Sequence, residues 1–309
     1  MHTISSFPRY LITPSELNTA LKHNASKLST EPRIIPLCAS WFLPNDGRNG
    51  YDTFLARRIP HARFFDLDTV KDIHSPYPHM LPAAPEFADA MRHLGVRRQD
   101  CVVVYDSLEL GIFSAPRVAW TLGVFGHPKV HVLNNFRKWV HDGFPTESGE
   151  PKEVQRSEYP VPELDFGRVV AFEEVREIAR ELGKEGAEEV QILDARSLGR
   201  WKGVDPEPRE GLSSGHIPYS ISVPVSDLLD PNDKTLLPAS ELQAVFKSKG
   251  VDPSKPVINS CGTGVTAAVI DAALTEADFP REQRRLYDGS WTEWAQRVKP
   301  GEGLIRRTE

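Results

Sequence analysis

One cysteine lies in a glycine-rich loop that could activate a thiol. Cys261 is followed by Gly262-Thr263-Gly264-Val265-Thr266. The apolar run 256–258 before it predicts a buried strand, and apolar residues recur at helical spacing from Val265 onward, so the loop should lead into a helix. Unpaired N–H groups and the positive end of a helix dipole favour a thiolate over a thiol. The pattern therefore predicts a cysteine nucleophile at neutral pH.

The alternative is that Cys261 is a small buried residue beside an ordinary turn, because free cysteine is among the most buried residue types. Two glycines argue against this, since they let the loop curl until successive N–H groups face one sulfur or anion. The other cysteines, Cys38 and Cys101, lack such neighbours and are predicted to be core thiols. Three widely spaced cysteines match no disulfide framework and no zinc pattern, so we predict a reducing compartment and no metal.

The chain repeats its own layout. Gly95 and Gly250 each precede a predicted strand and are 155 residues apart, as are Asp106 and Cys261. Alternating short strands and helices predict two tandem α/β domains, each with a mainly parallel sheet flanked by helices. The predicted limits are 1–145 for the first domain, 146–165 for a proline-containing linker and 166–309 for the second. Because Asp106 replaces the cysteine, the first domain is predicted to be catalytically inactive.

The cysteine loop resembles the active-site loop of the rhodanese superfamily, in the form found in its 3-mercaptopyruvate sulfurtransferases. Members that prefer thiosulfate typically carry Arg-Lys in place of Gly262-Thr263. Other passages similar to the family are Ser-Trp-Phe-Leu-Pro at 40–44, Ser-Pro-Tyr-Pro-His-Met-Leu-Pro at 75–82, Ser-Ala-Pro-Arg-Val at 114–118, Asp-Ala-Arg-Ser at 194–197, Ser-Gly-His-Ile-Pro at 214–218 and Tyr-Asp-Gly-Ser-Trp at 287–291. The resemblance spans nearly the whole chain and implies the rhodanese fold twice.

The resemblance implies an enzyme that moves sulfane sulfur from 3-mercaptopyruvate to a thiol or cyanide and releases pyruvate. Cys261 would carry the sulfur as a persulfide. The loop residues expected to surround the sulfur and the substrate are Gly262, Gly264, Val265 and Thr266. Arg200 and Arg209 match the two substrate arginines of the family, and planar guanidinium groups suit a carboxylate and a keto group. The alternative for each arginine is a surface side chain without a partner.

The family also implies a hydroxyl–imidazole–carboxylate relay. In this chain Thr263, His79 and Asp68 would form it and would move the proton of the donor thiol. Since His79 and Asp68 belong to the first half, the site would lie between the domains. His79 could equally cap a turn. Arg196 is predicted to be structural and to pair with an acidic neighbour.

Other functions fit the residues less well. A phosphatase of the rhodanese-like cell-cycle type needs an arginine six residues after the cysteine, where Ala267 stands. Thiosulfate is a compact dianion that gains from cationic loop side chains, so the neutral loop favours mercaptopyruvate and leaves thiosulfate:cyanide transfer as an alternative. A sulfur-relay protein that hands its persulfide to a partner, for example in tRNA thiolation, is also compatible with the loop. Arg200 and Arg209 favour an enzyme with its own small donor.

Composition restricts the partners. Of 309 residues, 39% are hydrophobic and 26% charged, which is typical of soluble globular proteins, and no apolar run is long enough to span a bilayer. A net charge of -6 without a basic stripe disfavours nucleic acid. We expect a monomer without a cofactor, a small-molecule sulfur donor, and an acceptor such as thioredoxin or a small thiol. Without an apolar signal core the location should be cytoplasmic, and the Ser/Thr-bearing amino terminus leaves a mitochondrial location open.

Overall fold

The repeat predicted from the sequence is visible in the computed structural model, which describes residues 7–26, 29–187, 189–299 and 301–308. Each half of the described chain contributes one five-stranded sheet. Every pairing between these strands is parallel. The predicted fold class of two α/β units is therefore confirmed. No helix in these ranges is both long enough and apolar enough to cross a membrane.

The first sheet is built from short strands with helices between them. Its strands are β1 (Leu11–Ile12), β2 (Ile34–Cys38), β3 (Arg63–Phe64), β4 (Cys101–Tyr105) and β5 (Val130–Leu133). Its helices are α1 (Pro14–Lys22), α2 (Gly50–Ala56), α3 (Ala84–His93), α4 (Ala115–Val124) and α5 (Phe136–His141). The strand order is β1-β5-β4-β2-β3, which puts β4 in the middle.

The second sheet repeats this arrangement. Its strands are β6 (Val169–Val170), β7 (Gln191–Asp194), β8 (Ile221–Ser222), β9 (Val257–Ser260) and β10 (Arg284–Tyr287). Its helices are α6 (Phe172–Glu181), α7 (Leu198–Lys202), α8 (Ala239–Ser248), α9 (Ala267–Glu276) and α10 (Ser290–Arg297), with short 3₁₀ turns at Phe166–Arg168, Val225–Leu228 and Arg281–Gln283. The order β6-β10-β9-β7-β8 is that of the first sheet, so β9 is the counterpart of β4.

The central strands are buried on both faces, as parallel strands covered by helices usually are. All five residues of β4 and all four of β9 are buried. The helices that follow them, α4 and α9, pack against each other, and Val118 and Ala268 belong to one continuous apolar core. This helix pair holds the carboxyl ends of both central strands close to the boundary between the halves.

The predicted linker is packed against the first half. Residues 151–165 form no helix or strand. Tyr159 is nonetheless 2% exposed, its hydroxyl lies 2.8 Å from His127 Nδ1, and its carbonyl accepts a hydrogen bond from Arg92 Nε at 2.9 Å. The limits 146–165 themselves remain a prediction.

Cys38 and Cys101 are buried core thiols, as predicted. Burial raises the pKa of each to about 12, so neither ionises at neutral pH. Trp291 and Trp294 of α10 also belong to the core, since both are almost fully buried.

Candidate active site

Cys261 directly follows the central strand of the second sheet. Its residue exposure is 1%, and it lines a cavity of about 220 Å³. The Cys261 N–H donates to Ser290 Oγ at 3.1 Å, and its carbonyl accepts from the Trp291 N–H at 2.9 Å. The carboxyl end of a central strand in an open parallel sheet is the usual place for a ligand site. The backbone bonds fix the cysteine there.

The loop that follows curls as its glycines suggested. Gly264 has φ +74°, and a Cβ there would lie 2.7 Å from Arg117 Nη1 and 2.8 Å from the Asp288 carbonyl oxygen, so only glycine fits. Within the described ranges, the N–H groups of Gly262 to Thr266 find no protein acceptor. Since α9 begins at Ala267, these donors lie at a helix amino terminus and are available to an anion.

Three side chains that are distant in sequence form a hydrogen-bonded chain beside the cysteine loop. Thr263 Oγ1 lies 3.0 Å from His79 Nδ1, and His79 Nε2 lies 3.1 Å from Asp68 Oδ1. Thr263 and His79 are buried, whereas the Asp68 side chain is 60% exposed. The second carboxylate oxygen of Asp68 accepts a hydrogen bond from Trp41 Nε1 at 3.0 Å. The sequence pattern alone indicates no contact for Trp41.

The surroundings of His79 and Asp68 determine which of the two groups is charged. Burial lowers the pKa of His79 below the ordinary value of 6.5, and the hydrogen bond from His79 lowers the pKa of Asp68. At neutral pH the imidazole is therefore neutral and the carboxylate ionised. His79 Nε2–H then donates to Asp68, which leaves Nδ1 to accept the Thr263 hydroxyl proton. This arrangement can move a proton to and from the Thr263 oxygen.

A buried arginine joins the two halves at this point. Arg117 is 1% exposed, and its Nη2 donates to the His79 carbonyl at 2.7 Å and to Asp288 Oδ1 at 2.6 Å. Its Nη1 donates to the Gly264 carbonyl at 3.3 Å, and the other oxygen of Asp288 accepts from the Leu81 N–H at 2.8 Å. One guanidinium thus fixes both the histidine and the cysteine loop.

Sequence reasoning gave Arg117 and Asp288 no role, although both lie in passages that resemble the family. The available signal was an arginine in the first turn of an otherwise apolar helix, because a buried arginine requires a carboxylate partner.

Arg200 and Arg209 line the same cavity as Cys261, but their surroundings differ. Arg200 donates from Nε and Nη2 to Glu207 Oε2, at 3.1 and 2.5 Å. Arg209 makes no ion pair or side-chain hydrogen bond to any residue that the structure describes. Burial lowers the pKa of Arg209, whereas negative charge on Cys261 acts to raise it, so the guanidinium is within electrostatic reach of the sulfur. Of the two, only Arg209 lacks a paired carboxylate among the described residues.

Glu207 binds the other two arginines of the cavity, Arg196 and Arg200. Its side chain is 2% exposed, and Oε1 accepts from Arg196 Nη1 at 2.7 Å. Arg196 also pairs with Asp194 at 2.7 Å and lies 4.1 Å above the Trp291 ring, so it has the acidic neighbours that the sequence predicted. Together, Asp194 and Glu207 balance Arg196 and Arg200, and the cavity retains the single positive charge of Arg209. The role of Glu207 was not foreseen.

Comparison with known proteins identifies the family of the chain. The family model of a rhodanese-like domain matches residues 175–297. The thiosulfate sulfurtransferase TUM1 of Saccharomyces cerevisiae is 43% identical over 282 residues, which cover 87% of this chain and 90% of that protein. The 3-mercaptopyruvate sulfurtransferase of Mus musculus is 39% identical over 296 residues, or 94% of each chain.

Solved structures extend the likeness to the fold. The crystal structure of the Saccharomyces cerevisiae Tum1 protein aligns with a TM-score of 0.84 at 39% identity and covers 97% of this chain and 99% of that one. The similarity in sequence and in structure extends over both halves. The chain therefore belongs to the rhodanese family and is a tandem-domain sulfurtransferase of the group that includes thiosulfate and 3-mercaptopyruvate sulfurtransferases.

Proposed function

We propose that this sulfurtransferase takes sulfur from 3-mercaptopyruvate through a Cys261 persulfide and passes it to a thiol. The observation that supports this donor is the uncompensated charge of Arg209 beside a loop without cationic side chains. One positive charge suits a donor with one carboxylate, whereas the dianion thiosulfate would gain from a second cation. The cavity of about 220 Å³ is small and suits a donor the size of a three-carbon keto acid.

Arg209 binds the donor carboxylate in this proposal, and Arg200 faces the keto oxygen. Glu207 holds Arg200 through Nε and Nη2, so its Nη1 is left for the ligand. A Cβ on Gly262 would lie 3.2 Å from Arg200 Nη2, which shows how closely this arginine lies against the cysteine loop. Binding between the two arginines brings the donor sulfur to Cys261.

The first half-reaction moves sulfur from the donor to Cys261. The Cys261 thiolate attacks the donor sulfur, an S–S bond forms, and the C–S bond breaks with its electron pair passing to carbon as the enolate of pyruvate. His79 takes up the thiol proton through Thr263 and returns it to the enolate. The N–H groups of Gly262 to Thr266 hold the persulfide anion until an acceptor thiolate attacks its outer sulfur.

The test is steady-state turnover with 3-mercaptopyruvate and thiosulfate side by side, with dithiothreitol or cyanide as acceptor. We expect a higher kcat/KM for mercaptopyruvate. Arg209→Met should raise the KM for mercaptopyruvate about 10- to 100-fold, the effect of one lost charge-assisted hydrogen bond, and Arg200→Met should also lower kcat. Exposed Arg57 provides the matched control Arg57→Met. A preference for thiosulfate, or an unchanged KM in both variants of the cavity, would refute the assignment.

Thiosulfate is the second candidate donor, because the relative at 43% identity is named a thiosulfate sulfurtransferase. The same assay decides between the two donors. If neither donor gives turnover but a partner protein loads sulfur onto Cys261, the protein is a sulfur relay.

A further inference from the structure

A second cavity of about 440 Å³ lies next to the site, on the boundary between the two halves. Its volume is within the usual range for small-ligand sites. It shares a single lining residue, Arg209, with the cavity of Cys261. We name it the acceptor cleft, and its lining residues are Lys71, Ser75, Pro76, Tyr77, Pro78, Arg209, Glu210, Gly211, Leu212, Thr292 and Gln296.

The walls of the acceptor cleft adjoin the cysteine loop and the relay histidine. Thr292 donates from its N–H at 2.9 Å and from Oγ1 at 2.7 Å to the carbonyl of Gly262, the residue after Cys261. On the opposite wall, Tyr77 and Pro78 directly precede His79 in the chain. The cleft is therefore one residue away from the cysteine loop on one wall and from the histidine of the relay on the other.

The cleft carries charged side chains that form no ion pair within the described chain. Neither Lys71 nor Arg209 forms an ion pair or a side-chain hydrogen bond with any described residue, and Glu210 is exposed and likewise makes none. The pKa of Asp68 is lowered first by its hydrogen bond to His79 and also by the charge of Lys71, which places Lys71 beside the relay. Two cations and one carboxylate thus face an open space.

We propose that the acceptor cleft binds the sulfur acceptor, and that this acceptor is a small thiol bearing two carboxylates and an ammonium group. Lys71 and Arg209 would bind the carboxylates and Glu210 the ammonium. A volume of about 440 Å³ suits a peptide of about three residues better than the surface of a protein thiol. This inference rests on the proposed persulfide of Cys261.

Sharing Arg209 gives the two half-reactions an order. The donor carboxylate occupies Arg209 first and leaves with pyruvate, after which the same guanidinium can bind an acceptor carboxylate. The acceptor thiolate then attacks the outer sulfur of the persulfide, the Cys261 S–S bond breaks, and Cys261 leaves as a thiolate while the acceptor becomes the persulfide. Atoms and electrons balance without any other reactant.

The experiment uses the full chain and two acceptors, glutathione as the anionic probe and dithiothreitol as the uncharged one. With saturating mercaptopyruvate, Lys71→Met should lower the ratio of kcat/KM for glutathione to that for dithiothreitol about three- to fivefold, and Lys71→Glu should lower it further. Lys71→Arg should restore the ratio. The matched control is Lys247→Met, since Lys247 is exposed on α8 and lines neither cavity.

Release of pyruvate in a single turnover without acceptor separates this inference from the proposed function. If the wild-type chain releases no pyruvate, the donor assignment fails, and the acceptor ratio is then measured after loading Cys261 with thiosulfate. An unchanged ratio in Lys71→Met and Lys71→Glu overturns the acceptor cleft. The proposal is also wrong if glutathione fails as an acceptor for the wild type and a protein thiol accepts sulfur equally well from the wild type and both Lys71 variants.

Discussion

Two loops occupy equivalent places in the repeat but differ in the anion that they bind. After β4, Asp106 is 1% exposed and accepts hydrogen bonds from the N–H groups of Phe113 at 2.7 Å, Ser114 at 3.1 Å and Ala115 at 2.9 Å, and from the Ser114 hydroxyl. After β9, Cys261 stands where Asp106 does, and the following N–H groups have no acceptor among the described residues. The first loop contains its own anion, and the second leaves its donors for one that arrives.

The difference explains how the duplicated halves divide the work. The loop from Asp106 to the start of α4 covers 106–114, whereas the loop from Cys261 to α9 covers only 261–266. The longer loop has enough chain to fold back over its carboxylate, so the N–H groups of Phe113, Ser114 and Ala115 are already occupied. The first half instead supplies Asp68, His79 and Arg117 to the second. The first half therefore has no nucleophile of its own but provides residues that hold the site of the second half.

The largest effect on turnover is expected from removal of the Cys261 thiol. Cys261→Ser is nearly isosteric but cannot form a persulfide, so turnover should fall by at least about 10⁴-fold. The free energy of unfolding should change by no more than about 1 kcal/mol, measured by urea denaturation. Cys38→Ser is the matched control, because it makes the same change in a buried thiol at the end of β2 and should retain activity. Appreciable sulfur transfer by Cys261→Ser would mean that the thiol is not what distinguishes the two loops.

The sequence predicted the central strands and the loop because their signals are local. The run Cys101-Val-Val-Val-Tyr105 can only be a buried strand, and Gly95 and Gly250 adopt φ +60° and +80° at equivalent turns. Ser114 lies at the start of α4, where a serine usually caps a helix, but its hydroxyl donates to Asp106 and makes no capping hydrogen bond. The reason for that serine lies eight residues away, beyond what a capping pattern can show.

Pairings between distant residues could not be predicted in this way. Arg117 and Asp288 are 171 positions apart, and nothing in either local pattern specifies the other. The contact of Thr263 with His79 was implied by the family resemblance alone, and the structure brings the two side chains within 3.0 Å. The division between a compensated Arg200 and an uncompensated Arg209 depends on where the single carboxylate of Glu207 points, which only tertiary packing decides.

A second prediction concerns His79, the residue of the first half that is proposed to accept the donor proton. His79→Asn removes the base while keeping a polar side chain, and kcat should fall about 10²- to 10³-fold. The wild-type rate should fall as the pH drops through a value below 6.5, because only neutral His79 accepts a proton and burial holds its pKa below that value. The variant should lack this acidic limb. Asp68→Asn, which removes only the partner that orients the imidazole, should have a smaller effect.

These outcomes are read from pH–rate profiles of kcat with mercaptopyruvate as donor. If His79→Asn retains the acidic limb, or runs at the wild-type rate, the first half supports the site without taking part in proton transfer.

The smallest effect on turnover is expected from the carboxylate that fills the first loop. Burial raises the pKa of Asp106 from its ordinary 3.8 to about 6, although the N–H and hydroxyl donors act to lower it. The folded protein then binds this proton more tightly than the unfolded chain, so the stability it contributes is present below about pH 4 and is lost as the pH rises to about 6. Asp106→Asn cannot titrate and should leave turnover at pH 8 within about twofold of the wild type, because Asp106 lines neither cavity.

The measurement is the free energy of unfolding of the wild type minus that of Asp106→Asn, from urea denaturation between pH 4 and pH 7. Each pKa unit corresponds to about 1.4 kcal/mol and part of the change occurs below pH 4, so this difference should fall by about 2.5 kcal/mol across the range. Taking the difference cancels the carboxylates that titrate in both proteins. A difference that rises with pH would show that the donors outweigh burial and that the loop prefers an ionised anion. The two loops would then share the same preference and differ only in whether the anion belongs to the chain.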